Sequence, residues 1–183
     1  MILYVNCCVR KGSRTDELAR ELLSLLGGDY TEVKVADEHL QPLSADMLDH
    51  RQRLLERQAY DDPVFALARQ FAAADIIVIA APFWDLSFPA VLKVYLENVY
   101  ITGIVSEYGP DGAPRGLCQA RKLYYVTTAG GPYVPDYSYG YLRELALNYL
   151  GIGETQLVAA ELLDIEGSDP RALLERAKRE LSV

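Results

Sequence analysis

The stretch Ile76–Tyr100, IIVIAAPFWDLSFPAVLKVYLENVY, limits what this chain can fold into more than any other. Ile76–Ala81 is an unbroken apolar run after Asp75, a length and composition that suit a strand buried on both faces, as in a parallel sheet. Pro82 stops the strand. Phe83, Trp84, Asp85, Leu86, Ser87 and Phe88 then form a short loop that carries three aromatic rings and a carboxylate. Pro89 restarts the chain as a helix, because its fixed φ and missing N–H suit the first helical position. An aromatic loop is thereby placed at the carboxyl end of a central strand, where open parallel sheets bind ligands.

The rest of the chain supplies the partners of that strand. Ile2–Asn6 reads as a first strand, followed by a helix that Ser13 or Thr15 can cap, with Asp16 and Glu17 in its first turn. Leu18, Leu22, Leu25 and Leu26 recur at helical spacing until Gly27 and Gly28 end the helix. Tyr30–Val35 alternates as an edge strand, and a surface helix is expected near Ala45–Gln58. Asp62 caps a helix with Pro63 at its start and Val64, Ala68 and Phe71 on its buried face. Residues 101–120 carry repeated Gly and Pro and read as a long excursion, a type of loop that often covers a functional site. Leu123–Thr128 is a fourth strand, residues around Tyr141–Leu150 a helix, and Gln156–Leu162 a fifth strand. Ser168 or Asp169 caps the last helix at Pro170, with Leu173, Leu174, Ala177 and Leu181 facing inward.

Strands alternating with helices predict an α/β fold, a three-layer sandwich around a five-stranded parallel sheet in the order 2-1-3-4-5. At 183 residues the chain suits one domain, residues 1–183. A net charge of −8 argues against nucleic acid as a partner, since phosphate backbones need basic surface. No apolar stretch is long enough for a membrane span, and the N-terminus lacks the pattern of a signal peptide. The three cysteines, Cys7, Cys8 and Cys118, have no metal-site spacing, and their odd number fits a reducing cytoplasm. Only His39 and His50 are present, which argues against a histidine metal site or a catalytic triad.

Three loops are expected to converge at the carboxyl edge of the sheet. The first, Cys7–Thr15, contains Arg10, Lys11 and Arg14, and residues 1–14 hold no acid. It leads into a helix N-terminus, whose free N–H groups favour an anion, and Ser13 and Thr15 add hydroxyls. A phosphate site is the functional reading; a solvated basic turn is the bland one. The P-loop and dinucleotide glycine patterns are both absent. The second loop offers Phe83, Trp84 and Asp85 as the wall of a flat conjugated ring, unless Phe83 and Phe88 belong to the core. The third offers Thr128, Ala129, Gly130 and Gly131, whose N–H groups can serve the polar edge of a pyrimidine-like ring or simply form a turn. Cys7 and Cys8 sit beside the first loop and are expected to be buried and inert. Asp85 can relay a proton or cap its turn. Tyr133, Tyr137, Tyr139 and Tyr141 can wall an apolar pocket or serve packing.

These residues carry a family resemblance. AAPFWDLSFPAVLKVYLENV resembles the proline-bracketed aromatic loop and LK-containing helix of the FMN-dependent NADH:quinone oxidoreductase and azoreductase family. VTTAGG, YGPDGAPRGLCQARK, YLRELALNYLGI and the Ser13-Arg14-Thr15 helix opening are similar to further segments of that family. The resemblance implies a flavodoxin-like fold, a homodimer and non-covalent FMN. It implies a two-step cycle in which NADH or NADPH reduces the flavin and the flavin passes a hydride to a quinone or azo compound. Ser13 and Thr15 would then hold the phosphate, with Cys8 and Arg14 beside them. Pro82, Phe83, Trp84, Asp85 and Leu86 would line the isoalloxazine, and Thr128, Ala129, Gly130 and Gly131 its pyrimidine side. Tyr133 and Tyr137 are candidates for the substrate pocket, and no side chain is assigned as an obligatory acid or base. Cys7-Cys8 stands where the family usually has serines, and Asp85 replaces the usual Asn. A carboxylate there is expected to disfavour the anionic reduced flavin and lower its potential. Competing readings are a non-catalytic flavin-binding or regulatory module of the same fold and a fold that has lost its flavin.

Overall fold

The structure is a computed structural model that describes all residues, 1–183. β1 (Ile2–Asn6) runs into α1 (Arg14–Leu26), β2 (Tyr30–Lys34) and α2 (Ala45–Glu56). A short helix, α3 (Ala66–Ala72), precedes β3 (Ile76–Ala80) and α4 (Ala90–Val99). A small hairpin of β4 (Ser106–Tyr108) and β5 (Pro114–Gly116) follows, then β6 (Lys122–Thr128), α5 (Tyr139–Leu145), β7 (Glu154–Ala160) and α6 (Pro170–Arg179). The main sheet has the order β2-β1-β3-β6-β7. All four of its pairings are parallel, with Ile2 opposite both Tyr30 and Ile76, Ile76 opposite Lys122, and Lys122 opposite Glu154. Counting only the main-sheet strands, this is the order 2-1-3-4-5.

The two-residue period of a strand divides the core. Leu3, Val5, Ile77 and Ile79 face one layer with Phe71, Leu92, Tyr95 and Leu142 of α3, α4 and α5. Tyr4, Val78 and Ala80 face the other with Leu18, Leu22 and Leu174 of α1 and α6. The chain therefore leaves β1 toward one face of the sheet and β3 toward the other. The loops diverge at that point and leave a crevice between adjacent strand ends.

Several local expectations are corrected. Ser13 is the N-cap of α1, its hydroxyl accepting from the Asp16 N–H at 3.4 Å, while Thr15 lies inside the helix and is buried. Leu25 is exposed. Val64 is exposed and Phe65 takes its buried place, because Pro63–Phe65 is a 3-10 turn whose tighter winding shifts the face presented inward. The last turn after α5, Ala146–Leu150, is π-helical and ends at Gly151 in the left-handed region. β7 ends at Ala160, and Leu162 already has φ 64°, having left the sheet to bond the β6 loop.

The excursion over residues 101–120 is not a cover for the crevice. Gln119 donates to the Ala72 carbonyl and Arg121 to that of Asp75, which pins the segment to the amino end of the sheet. The hairpin rests on the end of the α5 segment, with the Cys118 N–H donating to the Leu150 carbonyl. No helix is long and apolar enough to cross a membrane.

Candidate functional site

At the carboxyl edge of the sheet the three loops enclose a cleft of about 490 Å3. Its base is held by the strands themselves. The Cys7 N–H donates to the Ala80 carbonyl, and the Phe83 N–H to that of Thr128, so each loop leaves its strand in register with its neighbour. Beneath the cleft the Thr15 and Thr128 hydroxyls share a buried hydrogen bond of 2.6 Å that ties the start of α1 to the end of β6. Thr15→Val leaves the Thr128 hydroxyl without that partner. It is expected to lower unfolding free energy by about 1 to 2 kcal/mol in a urea titration.

The first loop is shaped from below by Asn6. Its carboxamide oxygen accepts from the Cys8 N–H at 2.9 Å, while its nitrogen donates to Asp16 and Glu32. Beyond Cys8 the backbone N–H groups of Val9, Arg10, Lys11 and Gly12 find no acceptor in the protein, nor do those of Arg14 and Thr15 in the first turn of α1. The residues of this run line a cleft together with Cys8 and Ser13. Arg10 and Lys11 take part in no ion pair within the chain. Free N–H groups, a helix dipole and two unpaired cations together could hold an anion.

Pro82, Phe83 and Trp84 form the facing wall. The Phe83 ring is held edge-on by Tyr133, with centroids 4.9 Å apart, and the Tyr133 hydroxyl is anchored on the buried Ser138 at 2.9 Å. Tyr133 thus supports the wall from behind. Trp84 and Ser87 exchange two backbone hydrogen bonds of 2.9 and 2.8 Å around Asp85 and Leu86, which have φ 51° and 65°. Positive φ at both central residues is a type I′ turn. The turn is closed by backbone, so the Asp85 side chain is not its cap. Asp85 and Leu86 project outward, exposed, at the rim and not in the lining.

The third wall is the end of β6. Thr128 and Gly130 line the cleft, Ala129 is buried behind them, and Gly131 follows outside the lining. The N–H groups of Gly130 and Gly131 find no acceptor in the protein. Their carbonyls, with that of Ala129, accept from Asp164, Leu162 and Leu163. The β7 loop therefore backs the glycine loop, a fourth strand-end segment absent from the sequence reading. Asp164 reaches the cleft itself and holds the Arg14 guanidinium with two bonds of 2.9 and 3.1 Å. The only sequence signal for it is position: it lies just past the end of the strand that neighbours β6.

Tyr137 stands outside the cleft. It is 63% exposed, and its carbonyl accepts from the Ser87 hydroxyl. Tyr139 packs inward against Tyr125, and Tyr141 against Phe88. Cys7 and Cys8 are buried, and burial raises the Cys8 thiol to about 11. The same effect puts Cys118 at about 12 and Cys7 higher still. Iodoacetamide at pH 8 is expected to leave all three thiols unmodified in the folded protein and to label them on unfolding, read by mass spectrometry.

The whole chain, residues 1–183, matches the family model described as the flavodoxin-like fold. An FMN-dependent NADH:quinone oxidoreductase of Coprothermobacter proteolyticus is 31% identical over 192 residues, covering 98% of this chain and 94% of the relative. The FMN-dependent NADH:quinone oxidoreductase 2 of Clostridium acetobutylicum is 42% identical over 130 residues, 66% of this chain. That match spans 64% of the clostridial protein's length. Among solved structures, an azoreductase from Bacillus anthracis str. Sterne superposes with a TM-score of 0.83 at 20% identity, covering 98% of this chain and 95% of the other. An FMN-dependent NADH-azoreductase from Bacillus anthracis str. Ames Ancestor in complex with FMN gives 0.79 at 23% identity, covering 98% and 94%. At such identities the two structures attest the fold.

Proposed function

The chain belongs to the flavodoxin-like fold family, and on that premise we propose that it is an FMN-dependent oxidoreductase passing hydride from NADH or NADPH to a quinone or azo acceptor. The observation that carries the reading is the run of unpartnered N–H groups from Val9 to Gly12 and in the first turn of α1, facing an aromatic wall across one cleft. The names of the relatives supply the reductant and acceptor classes.

FMN, when bound, supplies the two-electron chemistry that none of the side chains in the cleft can perform. The residues present fit it. The free N–H groups, the Ser13 hydroxyl and the cations Arg10 and Lys11 would hold the phosphate, with Cys8, Arg14 and Thr15 shaping that end. Pro82, Phe83 and Trp84 would flank the flat ring, and the N–H groups of Gly130 and Gly131 beside Thr128 and Ala129 would meet its polar edge. The turn at Asp85 and Leu86 would mark the edge where a second substrate approaches, with Tyr137 beside it.

Asp85 is exposed, so its charge acts through solvent and is worth up to about 1 kcal/mol. Asp85→Asn is expected to raise the two-electron potential of the bound flavin by up to about 20 mV, read by equilibration with a reference dye. A potential equal to or below that of the wild type contradicts this.

The same reading makes the protein a homodimer of the cytoplasm. In support, a largely apolar groove of about 530 Å3 runs between α4 and α5 and is lined by Leu96, Tyr100, Tyr108 and Tyr149, with Tyr108 55% exposed. Three cysteines without a disulfide suit a reducing compartment.

Steady-state assays with NADH or NADPH and a benzoquinone test the function. Parallel double-reciprocal lines are expected, because each substrate reacts with the loaded protein in turn. A protein that binds FMN but shows no turnover with either reductant would be the non-catalytic module instead.

A further inference from the structure

We propose that Asp164 is a positioning residue whose carboxylate clasps the cofactor cleft shut by holding Arg14 and the Gly130 loop together. The inference rests on the reading that the cleft takes FMN. Asp164 touches two of the three walls at once. Its oxygens bind the Arg14 guanidinium in parallel, at 2.9 and 3.1 Å, and Arg14 is the first residue of α1. Its N–H donates to the Gly130 carbonyl at 2.8 Å. Its carboxylate lies so close over Gly130 that a Cβ built there would sit 2.5 Å from Oδ2. A side chain larger than hydrogen at position 130 requires the Asp164 carboxylate to shift.

The clasp also explains a feature that the phosphate reading leaves aside. Arg10, Lys11 and Arg14 are the three cations of the first loop, yet Arg14 alone is engaged within the chain. Arg14 therefore spans the rim, while Arg10 and Lys11 remain available to an anion. Opening the cleft parts the α1 start from the β6 end, and the Arg14–Asp164 pair opposes that motion. Both side chains are partly solvated, at 36% and 63% exposure, so the attraction is screened by salt. The paired, two-bond geometry adds directionality.

The test is the rate of FMN release from the loaded protein, followed by the rise in flavin fluorescence, for wild type, Asp164→Asn, Arg14→Gln and the double variant. Each single variant is expected to release FMN about threefold to tenfold faster. The double variant is expected to be no faster than the singles, because the two side chains act as one unit. Release from wild type is expected to quicken with salt, and release from the variants to respond less. Unchanged release in Asp164→Asn, or single effects that multiply in the double variant, would overturn the clasp. Hydrogen exchange of the protein without cofactor supplies a second readout. Arg14→Gln is expected to speed exchange at the Asp164 amide, and unchanged exchange there would count against the proposal. If the wild type takes up no FMN, the cofactor reading fails and this exchange comparison alone decides the clasp.

Discussion

Ser13→Asp is expected to weaken FMN binding by about two orders of magnitude or more while leaving the melting temperature within about 2 °C of wild type. The two effects separate because Ser13 has two roles. As the N-cap of α1 it offers an oxygen to the Asp16 N–H, and aspartate serves that position equally well. An aspartate also suits the positive end of the helix dipole, so the helix keeps its start. Ser13 also lines the cleft proposed to take the phosphate. A carboxylate there meets the phosphate at close range, where a like-charge pair costs about 3 to 4 kcal/mol at an effective dielectric constant near 20. FMN fluorescence quenching gives the affinity and a thermal melt gives the stability. Loss of both together would mean that Ser13 matters only to folding.

Gly116→Ala is expected to do the reverse. A Cβ at that position would lie 2.0 Å from both the Gly151 nitrogen and the Leu150 carbonyl carbon. These are backbone atoms at the end of the α5 segment, where Gly151 is held at φ 74°, and they have no rotamer by which to yield. The hairpin must lift off the helix end and give up the Cys118–Leu150 hydrogen bond with it. A cost of about 3 kcal/mol follows, seen as a fall of roughly 6 to 12 °C in melting temperature. The FMN affinity of the folded fraction is expected to be unchanged, since the hairpin sits at the amino end of the sheet. A variant as stable as wild type would show that the contact is slack.

The two variants also mark what the sequence made legible. The run Ile76–Ala80 is buried at every residue and sits in the middle of the sheet, as an unbroken apolar run bounded by Asp75 and Pro82 requires. The basic loop before α1 was visible because cations without acids stood beside a capping serine. Asp164 was not visible. It lies in an acid-rich loop after β7, and nothing in its neighbours distinguishes a carboxylate that reaches the cleft from one that faces water. Leu86 was equally hidden: its left-handed φ of 65° contradicts leucine's own preference and is imposed by the two backbone bonds between Trp84 and Ser87. The exchange of Val64 for Phe65 has a simpler cause, since a proline-led 3-10 turn and an α-helical turn read alike in sequence but present different faces.

Equilibrium titration of the cofactor-free protein with FMN, in parallel with riboflavin, tests the central claim most directly. The free N–H groups and unpaired cations of the first loop predict saturable one-to-one binding of FMN, with riboflavin weaker by about two orders of magnitude because it lacks the phosphate. Equal affinity for the two, or no uptake of either, would contradict the account of the cleft.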